Sequence, residues 1–570
     1  MKPWFLTSAI LIFAAFPARA ESLGDCSSLP FASSSAEIEI RNHPDGSIMQ
    51  TVNSGDRSRP RGTIADYDEA IRRNPDDARA YIDRGNAYCE IGDYDQAIAD
   101  FNRAIERAPD DPDAYVALTS AHWRKREVDS AIATYDEAVR LSPKDPNVYI
   151  NRGDAYFELS EFARAVEDYN EAIRLTPNSD DAYVKRGRIY LNTGDLDRAI
   201  ADYDEAIRLN PDAANAYFGR GHIYYEMRDY DRAIADYNEL IRLRPDDHVA
   251  YMNRGNSYDE IGEHDRAIVD YYEAIRLEPD DPHAYYNRGY AYFNKYDYSR
   301  AIADYDEAIR LDPTFTAAYY NRGRAYDGLV DPNRAIRDYS EAIRLDPNHA
   351  YAYFRRALAY DDIGEIERAI ADYAAAGQLE PDAAAAHYNR AALHFRQRDM
   401  DQAIAAFDVV LESDPTHPDA LYLRGLAHLS RGAPANAALD LDAVVRQDPS
   451  DAYSALWRDI AERRNGWPGQ LGEAVSSLQM EEWPAPIVRF YLGQSRSDEV
   501  LAAAQDKDPE FRQAKLCEAH LFIGEHVLLG GDKAEAKRHF ELARDTCNKI
   551  DTEYGIALAE LRRLDTDKAN

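Results

Sequence analysis

Residues Ala284 to Pro313 read AYYNRGYAYFNKYDYSRAIADYDEAIRLDP, and near-copies of this stretch lie on both sides of it at a fixed spacing of 34 residues. Its first half places Tyr285, Gly289 and Tyr292 at intervals of four and three, and its second half does the same with Ala301, Tyr305 and Ala308. Each set is one stripe along an amphipathic helix. Gly289 and Ala301 are small where the two stripes face, so the helix backbones can come close while the tyrosines fill the gaps. Pro313 forbids the second helix from continuing. The same proline recurs at Pro75, Pro109, Pro143, Pro177, Pro211, Pro245, Pro279, Pro347, Pro381, Pro415 and Pro449, with no insertion between them.

A 34-residue helix–turn–helix unit with these small and aromatic positions resembles the tetratricopeptide repeat. The resemblance implies an all-α fold, a right-handed α-solenoid of stacked hairpins with a divergent helical C-terminal cap. Residues 63–77 form a half unit, because Ile64, Tyr67, Ala70 and Ile71 reproduce only a second helix. Residues 78–451 form eleven full units, each opening its second-helix stripe with Ala, from Ala97 through Ala267 to Ala437. Gly92-Asp93, Gly194-Asp195 and Gly262-Glu263 put a residue free to turn left-handed after the first helix, then an acid near the start of the second. Asp111-Pro112 and Asp281-Pro282 pair an N-cap with a first-turn proline. These turns lack the glycine and spaced acidic ligands of a calcium loop, so capping is their reading.

Residues 1–20 carry Lys2, an apolar run from Trp4 to Phe16 and the small-residue pattern Ala18-Arg19-Ala20. That is a secretory signal, cleaved after Ala20, and it implies a periplasmic or secreted protein. The run is too short to span a membrane. Cys26 lies too far past the cleavage point for a bacterial lipid anchor. Residues 21–62, with Ser33 to Ser35 and no helical periodicity, read as a flexible leader or short irregular cap.

The formal charge is −36, from 67 Lys and Arg against 103 Asp and Glu. Such a surface repels phosphate backbones and anionic lipid, so nucleic acid is an unexpected partner. Pairs such as Asp204-Glu205 and Asp306-Glu307 read as a solvated outer face. The chain has no GxxxxGK loop, HExxH, CxxC or GxSxG pattern, and its histidines, His222 and His428 among them, are scattered over the units. No catalytic residue, metal or cofactor is expected, and the protein reads as a non-enzyme.

After Pro449 the period fails. Residues 452–570 hold one helical stretch through Arg464, breaks at Trp467-Pro468-Gly469 and Trp483-Pro484-Ala485-Pro486, a divergent unit (Phe522, Gly524, Gly531-Asp532, Ala536, Phe540, Ala543) and a last helix from Thr552 to Leu564. Trp483-Pro484, Ile487-Val488 and Phe490-Tyr491-Leu492-Gly493, with the divergent unit, resemble the C-terminal part of periplasmic adaptor lipoproteins of the NlpI type, without their lipidated cysteine. That likeness implies recruitment of cell-wall hydrolases and a protease. Cys517 and Cys547 fall near neighbouring ends of the divergent hairpin, so a Cys517–Cys547 disulfide is expected in an oxidising compartment. Cys26 and Cys89 are left unpaired or weakly paired.

The first helices of tetratricopeptide arrays line a concave groove. Asn151, Asn253, Asn287, Asn321 and Asn389 share one register in it, just before Arg-Gly or Arg-Ala, with Lys185, Gly219 and Arg355 interrupting. The register resembles the asparagine ladder with which O-linked N-acetylglucosamine transferase holds peptide backbone. Each amide can satisfy a peptide N–H and C=O together. Phe218, Tyr286, Tyr320, Phe354 and Tyr388, one residue earlier, and Tyr290, one turn on, would add apolar contact. Two alternatives stand beside this: Asn-Arg-Gly is merely a common form of the first helix, and the aromatics merely support neighbouring helices. The chaperone-binding carboxylate clamp fits less well, since Asn256 and Asn287 match its asparagines but its basic residues are absent. Two function classes follow: a scaffold or adaptor binding extended protein segments, and a structural component of a polysaccharide export or envelope assembly.

Overall fold

The computed structural model describes residues 63–566 except 126, 381–383 and 550. The signal segment, the leader and Cys26 lie outside the described residues. The described chain divides into two units, one ending at Pro313 and the other beginning at Thr314. Every element of both is helical among the described residues.

The first unit opens with the single helix Ile64–Arg73, closed at its start by a capping box in which Thr63 and Asp66 each satisfy the other's backbone N–H. Seven antiparallel hairpins follow, from Ala78–Glu90 with Tyr94–Arg107 to Pro282–Asn294 with Tyr298–Leu311. Each pairs a 13-residue with a 14-residue helix. The small residues do what their placement predicts. A Cβ on Gly289 would sit 3.0 Å from Tyr305 Cε1 and 3.2 Å from the Ala301 carbonyl oxygen, so the ring lies directly on the glycine. The alanine that opens each second-helix stripe has no exposed surface, from Ala97 to Ala437.

The turns obey the same logic. Gly92, Gly194 and Gly262 have φ near +78°, and the acid that follows Gly92 and Gly194 caps the next helix: Asp93 accepts from Gln96 N at 3.2 Å and Asp195 from Arg198 N at 3.3 Å. Glu263 makes no such bond. Asp111 and Asp281 accept from the N–H two residues on, at 3.0 and 2.9 Å.

The second unit continues with four hairpins, from Thr316–Gly328 with Pro332–Leu345 to Pro418–Ser430 with Pro434–Gln447. Helix Ala452–Arg464 then packs on the last of them, and three short helices lead to the hairpin Pro509–Leu529 and Lys533–Thr546 and the final helix Thr552–Thr566. One continuous hydrophobic core runs from Tyr388 to Leu564, so the C-terminal elements share the interior of the last regular hairpins. Within it the Trp457 and Phe522 rings pack at a tilt with centroids 4.8 Å apart. Cys517 and Cys547 form the expected disulfide and clasp the last hairpin, with Cys517 two turns into a first helix that starts earlier than the repeat pattern suggests. Cys89 is free and half-buried.

Buried charge also holds this region. Arg464 pairs with the buried Glu525 and Glu560, and Arg563 adds a second cation to Glu560. Glu518 accepts from Tyr453 Oη at 2.6 Å and from Trp483 Nε1 at 2.7 Å. Burial pushes the Glu525 carboxyl up from 4.5 to about 7, against the pull of Arg464.

Removing residues 452–570 uncovers the apolar side of the hairpin Pro418–Gln447. The truncated chain is expected to aggregate and to melt below the parent in light scattering and thermal unfolding. A second expectation concerns pH. Between 4.5 and 7 the folded chain holds a proton on Glu525 that the unfolded chain has released, so this group's contribution to stability is lost as pH rises through that window. Glu525→Gln should therefore flatten the fall in melting temperature from pH 5 to 7, read by calorimetry.

Candidate peptide-binding face

The asparagine register sits on the first helices, and its members differ in what they do. In the first unit Asn151 and Asn253 are half-buried while Asn287 is buried. Asn287 Nδ2 donates to Asn256 Oδ1 of the preceding hairpin at 3.0 Å, and that oxygen also accepts from Tyr271 Oη at 2.8 Å. Three units earlier in the array the same geometry is ionic: Lys185 Nζ lies 2.9 Å from both oxygens of Asp154, which accepts from Tyr169 Oη at 2.7 Å. The register therefore joins successive hairpins by a short polar chain. Gly219 interrupts it for steric reasons, since a Cβ there would lie 2.6 Å from Tyr203 Oη. Two amide atoms stay unsatisfied, Asn253 Nδ2 and Asn287 Oδ1. In the second unit Asn321 Oδ1 accepts from Arg324 at 3.0 Å, and Asn389 Nδ2 reaches Tyr373 Oη at 3.4 Å.

The aromatics of the same face are mostly interior. Tyr286, Tyr320, Phe354 and Tyr388 are buried and pack on Tyr305, Tyr339, Tyr373 and Phe407 of their own hairpins, with ring centroids 5.6–6.0 Å apart. The stripe that fills the gap between helices is one residue wider than the spacing suggests. Only Phe218 and Tyr290 of the six expected aromatics are half-buried. Burial lowers the His222 pKa and raises that of Asp181 on this side.

A feature that the sequence reading passed over is a repeated ion pair. The arginine one residue after the register position chelates, through Nε and Nη2, the aspartate sixteen residues on: Arg220 holds Asp236 at 2.9 and 2.6 Å, and Arg254 holds Asp270 at 2.8 and 2.6 Å. Its third nitrogen reaches back sixteen residues to the preceding hairpin, as from Arg220 to Asp204 and from Arg254 to Asn238 at 2.7 Å. The aspartates chelated sixteen residues on, such as Asp236 and Asp270, are buried, whereas Asp204 stays exposed, as the solvated-face reading expects. Burial pushes the Asp168, Asp236, Asp270 and Asp304 carboxyls up, with their arginines opposing it. A tyrosine one turn beyond the arginine is covered by a second one, as Tyr224 by Arg232 at 4.2 Å. At Arg288 the rearward acid is replaced by Tyr272, whose ring lies 4.1 Å from the guanidinium.

Family models described as tetratricopeptide repeat match residues 55–282 and 360–452, 282–349, and 338–371. The chain belongs to the tetratricopeptide repeat family. Among solved structures, MamA is 27% identical over 30% of this chain and 92% of its own, with a TM-score of 0.28. YrrB, described as having an unusual peptide-binding site, is 24% identical over 33% of this chain and 96% of its own, with a TM-score of 0.31. The pilF protein of Pseudomonas aeruginosa is 22% identical over 38% of this chain and 94% of its own, with a TM-score of 0.33. No curated protein matches. Tetratricopeptide proteins mediate protein–protein interaction. Among the described residues no helix is long and apolar enough to cross a membrane, and no group of three or more His, Cys, Asp or Glu is arranged to hold a metal ion.

Proposed function

We propose that this tetratricopeptide protein is a non-enzymatic exported scaffold that binds extended segments of protein partners along its first helices. The observation that carries the reading is the asparagine register: Asn151, Asn253 and Asn287 repeat one polar position on the first helices, and at Asn253 and Asn287 an amide atom has no partner among the described residues. A peptide backbone supplies the donors and acceptors that such amides lack. Rotation of those side chains toward the groove would open sequence-tolerant contacts, with Asn151, Phe218 and Tyr290 beside them. Export is supported by the pattern of residues 1–20 and by the Cys517–Cys547 disulfide. Recruitment of envelope enzymes is supported by the likeness of residues 483–493 to NlpI-type adaptors.

The test uses the full mature chain to capture partners from an envelope fraction, followed by calorimetry with an isolated partner. Asn151→Ala, Asn253→Ala and Asn287→Ala together are expected to weaken binding more than about tenfold. The stability lost should not exceed that of the one Asn287–Asn256 bond, about 1 kcal/mol. Unchanged affinity removes the register from the binding site, and co-isolation of outer-membrane export proteins instead of hydrolases or proteases favours a structural role in polysaccharide export.

A further inference from the structure

The repeated ion pair has one broken rung. Arg356 holds Asp372 at 2.7 and 2.8 Å and Ser340 at 2.9 Å, and Arg424 holds Asp440 at 2.9 and 2.6 Å and Asp408 at 2.6 Å. Arg390 stands midway between them in the array. Sixteen residues after it is Ala406 and sixteen before it is Ala374. Both places from which a carboxylate or hydroxyl reaches the guanidinium elsewhere are methyl groups here. The surroundings change with them: His394 takes the place of the stacking tyrosine, and Gln402 that of the arginine which covers it.

Among the described residues Arg390 makes no hydrogen bond or ion pair, though it is half-buried. Burial lowers its pKa with no opposing partner. The hairpin at Pro112–Leu141 makes the contrast, because there Leu118 and Thr134 replace arginine and acid together. Dropping both groups leaves no half-buried charge, whereas dropping only the acids leaves one.

We infer that Arg390 is the docking point for a carboxylate supplied from outside the chain, the side chain of an aspartate or glutamate in a bound protein segment. The neighbouring rungs define the chemistry: each is a planar, two-bonded guanidinium–carboxylate contact, and the missing half is a carboxylate. A polyanion is excluded by charge, since a chain at −36 repels it at long range. The segment therefore carries one acid among neutral or basic residues. The site does not depend on the asparagine register.

Phenylglyoxal, a neutral dicarbonyl that attacks guanidiniums lacking an ion pair, tests this on the full chain by peptide mass mapping. Arg390 should be modified at least about fivefold faster than Arg356 and Arg424, whose edges are occupied. Equal rates would overturn the inference. Ala406→Asp rebuilds the rung and should slow Arg390 to the rate of Arg356; an unchanged rate would show that the empty place is not carboxylate-shaped. In the unaltered protein, acetyl-Gly-Lys-Asp-Ser-Gly-amide at millimolar concentration should protect Arg390, and the same peptide with asparagine for aspartate should not. Equal protection by the asparagine peptide, or by inorganic phosphate, contradicts the assignment.

Discussion

A buried carboxylate must face a cation, and that constraint runs the length of this array. The aspartate in the middle of most second helices lies beside the buried ring that fills the hairpin, where an unpaired charge would be too costly to keep. An arginine from the first helix answers it with two parallel bonds, then spends its remaining nitrogen on the hairpin before. One side chain thus fixes the register of two helices within a hairpin and of one hairpin on the next. The pair is dropped whole at Leu118 and Thr134 and, among the regular hairpins, split at Arg390.

The end of the stack meets a different demand. A repeat has no partner beyond its last hairpin, and here the chain folds back to provide one. Arg464, sixty-one residues before Glu525 and ninety-six before Glu560, draws the last long hairpin and the final helix onto the helix that follows the repeats. The disulfide then closes the hairpin that does the covering. Arg398 donates to the Lys549 carbonyl and lies over Tyr554, tying a turn of the regular array to the terminal elements.

Most of the fold was legible because it is local and periodic. Prolines, capping acids and left-handed glycines set the helix ends, and the spacing of four and three set the stripes. The ion pair was legible in principle, as arginine and aspartate sixteen residues apart, but nothing in the local spacing of its acids separates them from the exposed ones nearby. The site was half legible. Spacing placed Asn253 and Asn287 on one face, yet could not show that Tyr286 and Tyr320 turn inward onto Tyr305 and Tyr339. It could not show either that Tyr203 fills the place where Gly219 interrupts the register. Contacts between residues sixty or more apart, such as those of Arg464, leave no periodic trace.

The central claim is that the arginine couples helix to helix, and native-state hydrogen exchange of helices Ala214–Glu226 and Tyr230–Leu243 measures it directly. A double-mutant cycle of Arg220→Met and Asp236→Leu is expected to give a coupling of about 1.5–3 kcal/mol, with the double variant more protected than Asp236→Leu alone. Additivity within about 0.3 kcal/mol would contradict the account, since it would mean that packing alone sets the register.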